Sequence, residues 1–329
     1  MDPNRHSHRL NTMGVLKNGM MVHLGLHRST WSPFGDQRLS VPEDRLIPPE
    51  IARAAKQSHP RGVAYYIPAK YRAAGHALAH PGSTVTGFGA LALYGLPVLV
   101  DACDTVLMSS KVGRKCFATN TRPGLTRGTA KPGQTWTVFC DGEPVSAARP
   151  DLAMVQALRE IRRGDAAWSV ETLTDDPVFV RAVQLVDASR RFLNLRPESI
   201  ISAGHRLIDD QWLRKVIRHS SALADSPKET EMRLILRHVA KEFDLTLLEQ
   251  VPIFEGDRLI TTLDFKFEEV PYGYMYDGYH HWTKQQRAKD SRINIELLLA
   301  NLTVLRFGTG SLCSVPETTR RVFAKDGLL

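Results

Sequence analysis

The chain has 329 residues, of which 43% are hydrophobic and 24% are charged, a balance typical of a folded globular protein. Its longest apolar run, from Gly89 to Val100, is interrupted by Gly95 and Pro97 and is too short to cross a membrane. The first residues, MDPNRHSHRL, lack the apolar stretch of a signal peptide. The cysteines form no CxxC pair, which argues against a zinc knuckle or a disulfide framework. We therefore expect a cytoplasmic protein with no membrane partner.

The net charge of +8 is distributed unevenly along the chain. Residues 1–165 contain 21 basic and 12 acidic residues, whereas residues 226–310 contain 11 basic and 13 acidic residues. This layout is common where a nucleic-acid-binding part precedes a site that concentrates carboxylates. An ordinary solvated surface explains a charge of this size equally well.

The predicted elements begin after residue 45, because residues 1–45 show no sustained period and are predicted to be poorly ordered. Residues 46–165 are predicted to form a basic α/β region. Its predicted elements are a helix over 48–56, a strand over 62–68, a helix over 83–94, and strands over 97–110 and 136–145, then a helix over 150–161. Residues 111–134 are rich in Gly, Thr and Pro and predict loops and a hairpin. The candidate phosphate contacts in this region are Lys111, Arg114, Lys115, Arg122 and Arg127.

Residues 166–225 are predicted to form a helical connector with breaks near Pro177, Pro197 and Gly204. A change of character at residues 224–227 predicts a boundary, after which residues 226–329 form the last domain. Ser226 is a typical N-cap, Pro227 suits the first helical position, and Glu229 completes a capping box. Capping alone explains Glu229, although a carboxylate at this place is also suited to point into a site.

The helix that follows is predicted to bury one stripe of its surface, formed by Met232, Ile235, Leu236, Val239, Ala240 and Phe243. Strands are predicted over 260–267 and 272–279, followed by a helix over 283–301 and a strand over 302–307. Strand alternation places Leu263, Phe265 and Phe267 on one face and Asp264 on the other. The region is therefore predicted to be a compact α/β (α+β) unit with the order helix, three strands, helix, strand.

Asp264 and Asp277 are predicted to converge if their strands are neighbours. Two carboxylates placed close together repel each other unless a proton or a cation separates them. Mg²⁺ prefers one or two carboxylates together with water and substrate phosphates. The two strands therefore predict a site for Mg²⁺ or Mn²⁺.

The runs SPKETEMR, LDF, YMYDGYHHW, QQRAKD and LTVLRF resemble the very-short-patch-repair-endonuclease-like domain of the PD-(D/E)xK nuclease superfamily. The resemblance covers residues 226–310 and implies a restriction-endonuclease-like core with Mg²⁺- or Mn²⁺-dependent endodeoxyribonuclease activity. The positions that match the family pattern are Ser226, Pro227, Glu229, Arg233, Asp264, Asp277, Gly278, His280 or His281, Gln286, Asp290 and Arg306. The implied metal ligands are Asp264, Asp277 and Glu229, and the implied catalytic residues are these three with His280, His281 and Gln286.

Met275 stands where the family pattern has a metal-binding Glu. The sequence offers Glu268 or Glu269 as spatial substitutes, of which alternation favours Glu268. The basic residue that would activate water stays open among Lys266, His280 and His281.

The amino-terminal half is similar to AbiEi-type antitoxins of abortive-infection systems, in the arrangement found in actinobacterial proteins. The likeness rests on VTGFGALALYGLP (85–97) and EPVSAARPDLAMVQAL (143–158). It implies a partly helical DNA-binding region and a toxin or defence partner. Only residues 47–69 could form the winged helix with which such relatives begin.

Three functional hypotheses follow. The first is a DNA-binding protein with a metal-dependent endonuclease domain, acting in phage defence, in a toxin–antitoxin pair or in DNA repair. The second, favoured by Met275, is a catalytically degenerate nuclease fold that acts as a DNA-binding or antitoxin-like regulator. The third is an interaction protein that binds no nucleic acid.

Overall fold

The computed structural model describes residues 46–140, 143–172, 175–278 and 284–327, with residues 284–290 described through their backbone alone. It also describes the backbone of a short antiparallel pair, β1 (Val15–Leu16) and β2 (Arg38–Leu39). The rest of the amino-terminal segment that was predicted to be poorly ordered lies outside the described residues. No helix in the described ranges combines the length and apolarity needed to cross a membrane.

The chain divides into two compact units. The amino-terminal unit comprises residues 1–169 and 188–220, and the carboxy-terminal unit comprises residues 170–187 and 221–329. The domain borders drawn from the sequence after residues 45, 165 and 225 stay predictions.

The amino-terminal unit contains a five-stranded mixed sheet with the order β5-β4-β3-β7-β6. Its strands are β3 (Thr84–Thr86), β4 (Val106–Ser109), β5 (Gly124–Arg127), β6 (Thr135–Cys140) and β7 (Glu143–Ala148). Its helices are α1 (Pro49–Ser58), α2 (Ala69–Ala79), α3 (Gly87–Leu93), α4 (Pro150–Arg162), α6 (Pro197–Gly204) and α7 (Asp210–His219). Helix α5 (Pro177–Leu193) contributes residues to each unit. The predicted helices over 48–56 and 150–161 are confirmed as α1 and α4.

The predicted strand over 62–68 is wrong, because this segment connects α1 to α2 without regular structure. Its polar groups find partners other than a neighbouring strand: Val63 N donates to His59 Nδ1, and the Tyr65 hydroxyl donates to Asp104. The segment over 83–94 divides at Gly87, whose φ of +53° ends β3 and begins α3. The strand over 97–110 is present only as β4, and the strand over 136–145 is the β6–β7 hairpin.

The carboxy-terminal unit has the element order expected from the sequence. Its elements are α8 (Pro227–Phe243), β8 (Leu247–Glu255), β9 (Arg258–Phe267), β10 (Tyr272–Asp277), α9 (Lys284–Leu299), β11 (Thr303–Gly308) and α10 (Val315–Lys325). The sheet is mixed, with the order β11-β10-β9-β8, because β11 is parallel to β10 while the other pairs are antiparallel. The fold class is therefore mixed α and β, as predicted.

Apolar clusters lie on both faces of this four-stranded sheet. The buried stripe of α8 packs in one cluster with Phe265, Phe267 and Tyr274. Leu263 packs in another cluster with Leu297 and Leu302, so the expectation that Leu263 shares a face with Phe265 is wrong. Gly273 makes the room, since a Cβ added there would lie 2.5 Å from Leu263 Cδ1.

A buried ion pair joins α8 to α5 within the carboxy-terminal unit. The Arg233 side chain, 0% exposed, pairs with the Asp187 carboxylate, which also accepts hydrogen bonds from Ser221 N and the Thr230 hydroxyl. Arg233 Nε also lies 3.5 Å from Glu249 Oε2 on β8. Arg233, which matches the family pattern, is thus a structural residue.

Candidate functional site

Glu229 lies at the start of α8 and completes the predicted capping box. Ser226 Oγ accepts a hydrogen bond from Glu229 N at 3.2 Å and donates one to Glu229 Oε1 at 2.9 Å. Asp225 N donates to Glu229 Oε2 at 2.9 Å, and Gln250 Nε2 donates to the same oxygen at 3.4 Å. Capping accounts for these contacts, and it also fixes the carboxylate in a single orientation.

Glu229 is nevertheless more than a surface cap, because it is only 8% exposed. The pKa of its carboxyl is raised to about 7, mainly by burial and additionally by the nearby charge of Asp264. Asp225 adds its own charge to the same group of carboxyls. The two interpretations left open by the sequence, cap and site residue, are therefore compatible.

Asp264 lies where β9 and β10 separate. The pairing of the two strands covers Lys266 with Gly273 and Phe265 with Tyr274. At the next residue of β9, the Asp264 carboxylate accepts a hydrogen bond from Tyr276 N, with 2.7 Å between Oδ2 and N. The Asp264 side chain thus takes the place of a backbone carbonyl as the acceptor. The backbone pairing of β9 with β10 thus stops at Asp264, while β9 continues beyond it to Arg258 in its pairing with β8.

Asp277, at the end of β10, acts electrostatically on Asp264. The pKa of Asp264 is raised to about 6, mainly by burial and additionally by the charges of Asp277 and Asp225. Arg306 opposes this effect and pairs with Asp277, with 2.9 Å between Nη1 and Oδ1. The structure thus brings Asp264 together with Glu229 and with Asp277, and we refer to these three residues as the acidic site.

The described carboxylates offer a divalent cation only part of the ligands that it needs. Among the described residues, no group of three or more His, Cys, Asp or Glu side chains could hold a metal ion alone. Mg²⁺ is often held by one or two carboxylates together with water and substrate phosphates. Asp264 and Asp277 supply such a pair of carboxylates, although Asp277 Oδ1 is also paired with Arg306 Nη1. The pair therefore fits a cation that arrives with a phosphate.

Three residues beside the acidic site are not assigned to it by the sequence. Gln250 has a positive φ of +51°, which interrupts the regular strand geometry of β8 at the point where its side chain reaches Glu229. Asp225 immediately precedes the capping box, and Arg306 was noted only as a match to the family pattern. Proximity to Ser226 could have identified Asp225, and its place on the predicted strand over 302–307 could have identified Arg306, whereas the sequence contains no local signal for Gln250.

The other candidate residues have different positions. Lys266 Nζ donates to the carbonyls of Phe267, Glu268 and Val270, so it is held at the β9–β10 turn. Glu269 accepts from Thr246 N, and Glu268 is exposed. Met275 packs, half-buried, against the cluster of Leu263, Leu297 and Leu302. His280 and His281 lie outside the described residues, and the side chain of Gln286 does too.

The five candidate phosphate contacts lie in the amino-terminal unit, between the end of β4 and the end of β5. Lys111, Arg114, Lys115, Arg122 and Arg127 are all exposed. Lys115 Nζ lies 3.6 Å from Asp165 Oδ2 and 4.7 Å from the centroid of the Phe117 ring. Parallel pairing of β4 with β5 sets Ser109 opposite Arg127.

Comparisons with known proteins do not assign a family. No family model, no curated protein and no solved structure matches the chain.

Proposed function

We propose that this protein binds DNA and that its carboxy-terminal unit, with a restriction-endonuclease-like core, cleaves phosphodiester bonds with the help of Mg²⁺ or Mn²⁺. The observation that carries the proposal is the placement of Asp264 and Asp277 where β9 and β10 separate, with Glu229 at the start of α8 beside them. The helix–three strands–helix–strand order supports it, because it matches the resemblance noted in residues 226–310.

The three residues of the acidic site and Arg306 would contribute to hydrolysis in different ways. Asp264 and Asp277 would hold the cation, which when bound supplies positive charge to the phosphate and lowers the pKa of a water molecule. Arg306, paired with Asp277, is placed to balance the negative charge of that carboxylate. Glu229, held by Ser226 and Asp225, would accept a proton or orient the attacking water.

Replacing Asp264 by Asn tests this proposal. We expect the parent to nick supercoiled plasmid in Mg²⁺ or Mn²⁺ and Asp264→Asn to lose the activity by about 100-fold or more, because a metal ligand is lost while the shape is kept. Asp257→Asn, at an exposed turn position between β8 and β9, is the matched control and should nick as the parent does. Equal nicking by parent and Asp264→Asn would rule out Asp264 as a ligand.

The degenerate-fold alternative is favoured by one specific observation, the packing of Met275 in an apolar cluster where the family pattern has a metal ligand. Under this alternative the parent shifts DNA on a gel but nicks it with neither metal. Met275→Glu should then raise the affinity for Mg²⁺ measured by calorimetry, because a carboxylate is added on the strand that carries Asp277. Unchanged metal binding in Met275→Glu would place position 275 outside any metal site.

A further inference from the structure

A cavity of about 300 Å³ lies in the amino-terminal unit, away from any residue assigned to catalysis. It is lined from α4 by Gln156, Arg159 and Glu160 and from the β4–β5 region by Phe117 and Arg127. Its volume is at the lower end of the range of small-molecule sites, ~300–1,000 Å³. Its lining combines five cationic side chains with three carboxyls, those of Asp104, Glu160 and Asp165, and one aromatic ring, that of Phe117.

Glu160 is the buried polar group of this cavity. It is 7% exposed, and its carboxyl forms no hydrogen bond or ion pair with a described residue. Gly87 makes room for it, since a Cβ there would lie 2.5 Å from Glu160 Oε1. Burying a carboxyl without a partner is costly, so the cavity presents an unused hydrogen-bonding group to whatever enters it.

The protonation of Glu160 decides what it can offer. Burial raises its pKa to about 8, although nearby cations oppose this effect. The charged groups that act on it are Arg163, Asp165, Lys115 and Arg61. At pH 7 the carboxyl is therefore mainly in its neutral form, which offers one donor and one acceptor side by side.

Arginine side chains that line the cavity are suited to bind a phosphate. Asp104 pairs with Arg61, and Asp165 pairs with Arg163. Arg127 and Arg159 line the cavity and form no ion pair with a described residue. Arg159 also borders a second basic cleft of about 530 Å³, which contains Arg162, Arg163 and Arg206. A chain of phosphates could continue from the cavity along this cleft.

Phe117 provides an aromatic surface at the same place. Its side chain is 56% exposed, although it is a large apolar group. Arg61 Cζ and Lys115 Nζ lie 5.0 Å and 4.7 Å from its ring centroid. An exposed ring among cations is the arrangement on which nucleic-acid bases stack in single-strand-binding proteins.

We propose that this cavity binds one nucleotide, with its phosphate at Arg127 and Arg159, its base against Phe117, and the polar edge of that base at Glu160. The inference rests on the DNA-binding part of the proposed function and does not require cleavage. A base in a single strand, or one taken out of a duplex, presents the exposed edge and face that such a pocket reads. A free nucleotide would present the same groups.

The test separates base contacts from phosphate contacts. Fluorescence anisotropy in EDTA, with the Asp264→Asn protein, would compare a single-stranded oligodeoxynucleotide with an abasic strand of the same length. EDTA and the Asp264→Asn background prevent cleavage from affecting the result. Competition by deoxyadenosine monophosphate would show whether a free nucleotide also binds. The added variants are Glu160→Leu, Glu160→Gln, Phe117→Ala, Arg159→Ala and, as a matched control, Phe139→Ala, another exposed ring of the same unit.

We expect the base-bearing strand to bind more tightly than the abasic strand, and Glu160→Leu to reduce this difference by about fivefold or more, as expected for lost hydrogen bonds. Glu160→Gln keeps one donor and one acceptor and should preserve the difference. Phe117→Ala should weaken only the base-bearing strand, by about fivefold or more, while Phe139→Ala changes neither. Arg159→Ala should weaken both strands equally.

Equal binding of the two strands by the parent, or an undiminished difference in Glu160→Leu, would overturn the inference. Displacement by the mononucleotide as effective as by the strand would identify a free nucleotide as the ligand, and weaker displacement would identify a strand. Nicking by the parent with no effect of Glu160→Leu on binding would refute the cavity and leave the proposed nuclease intact. No nicking by the parent, together with a reduced difference between the two strands in Glu160→Leu, would support the nucleotide site in the cavity and refute the proposed nuclease.

Discussion

Replacing Arg233 by Met is expected to lower the free energy of unfolding of the carboxy-terminal unit by about 3–5 kcal/mol. The methionine side chain fills most of the same space, but it leaves the carboxylate of Asp187, 1% exposed, without its cation. Glu249 also loses a neighbour, since Arg233 Nε lies 3.5 Å from its Oε2. An unpaired charge in a dry interior costs more than the pair contributes, and this penalty is what urea unfolding followed by circular dichroism would measure.

Arg237→Met is the matched control, because it removes the same kind of side chain one turn further along α8. Arg237 approaches the same Glu249 at 3.5 Å, but its side chain is 35% exposed, so we expect a loss of about 1 kcal/mol or less. The double variant Asp187→Asn/Arg233→Met removes both buried charges and should unfold at higher urea than Arg233→Met alone. Equal losses of unfolding free energy in Arg233→Met and Arg237→Met would show that the buried pair of Arg233 with Asp187 does not stabilise the unit.

The parts of the fold that could be predicted from the sequence are those with local signals. Helix α8 begins where Ser226, Pro227 and Glu229 predict it, because N-caps and first-turn prolines act within a few residues. The segment over 62–68 has strand composition but no neighbouring strand, and composition cannot supply a neighbour. Helices α2 and α10 were not predicted, since the small residues of α2 give no clear helical period.

The parts of the site that could be predicted from the sequence are those that follow regular strand geometry. Strand alternation and order suggested that Asp264 and Asp277 meet, and the structure shows the charge of one acting on the other. Alternation failed at Leu263 because the β8–β9 register omits the pair Gln250–Asp264, where Gln250 has a positive φ, and Gly273 leaves room for the Leu263 side chain on the opposite face. Asp187, the partner of Arg233, is distant in sequence and has no local signal. The burial of Glu160 could not be predicted either, since the space for its carboxyl depends on Gly87, which belongs to another element.

The buried carboxyl of Glu160 is expected to make the free energy of unfolding depend on pH. Burial raises the pKa of its carboxyl to about 8 in the folded protein, whereas an unfolded chain has a value near 4.5. Between these values the folded state keeps the proton that the unfolded state releases. The free energy of unfolding of the parent therefore falls as pH rises through this window, by up to about 1.4 kcal/mol per pH unit from this group alone.

Glu160→Gln removes the titration and keeps the shape. We expect the variant to be more stable than the parent by about 1–3 kcal/mol at pH 7, with the gap closing near pH 4 and no longer widening above pH 8. Taking the difference between the two proteins at each pH cancels every other titrating group. Glu50→Gln, at an exposed position of α1, should give no such gap. A gap independent of pH would mean that Glu160 ionises normally, whereas the expected curve would identify a carboxyl kept at a cost to stability, as is common where a group serves a ligand.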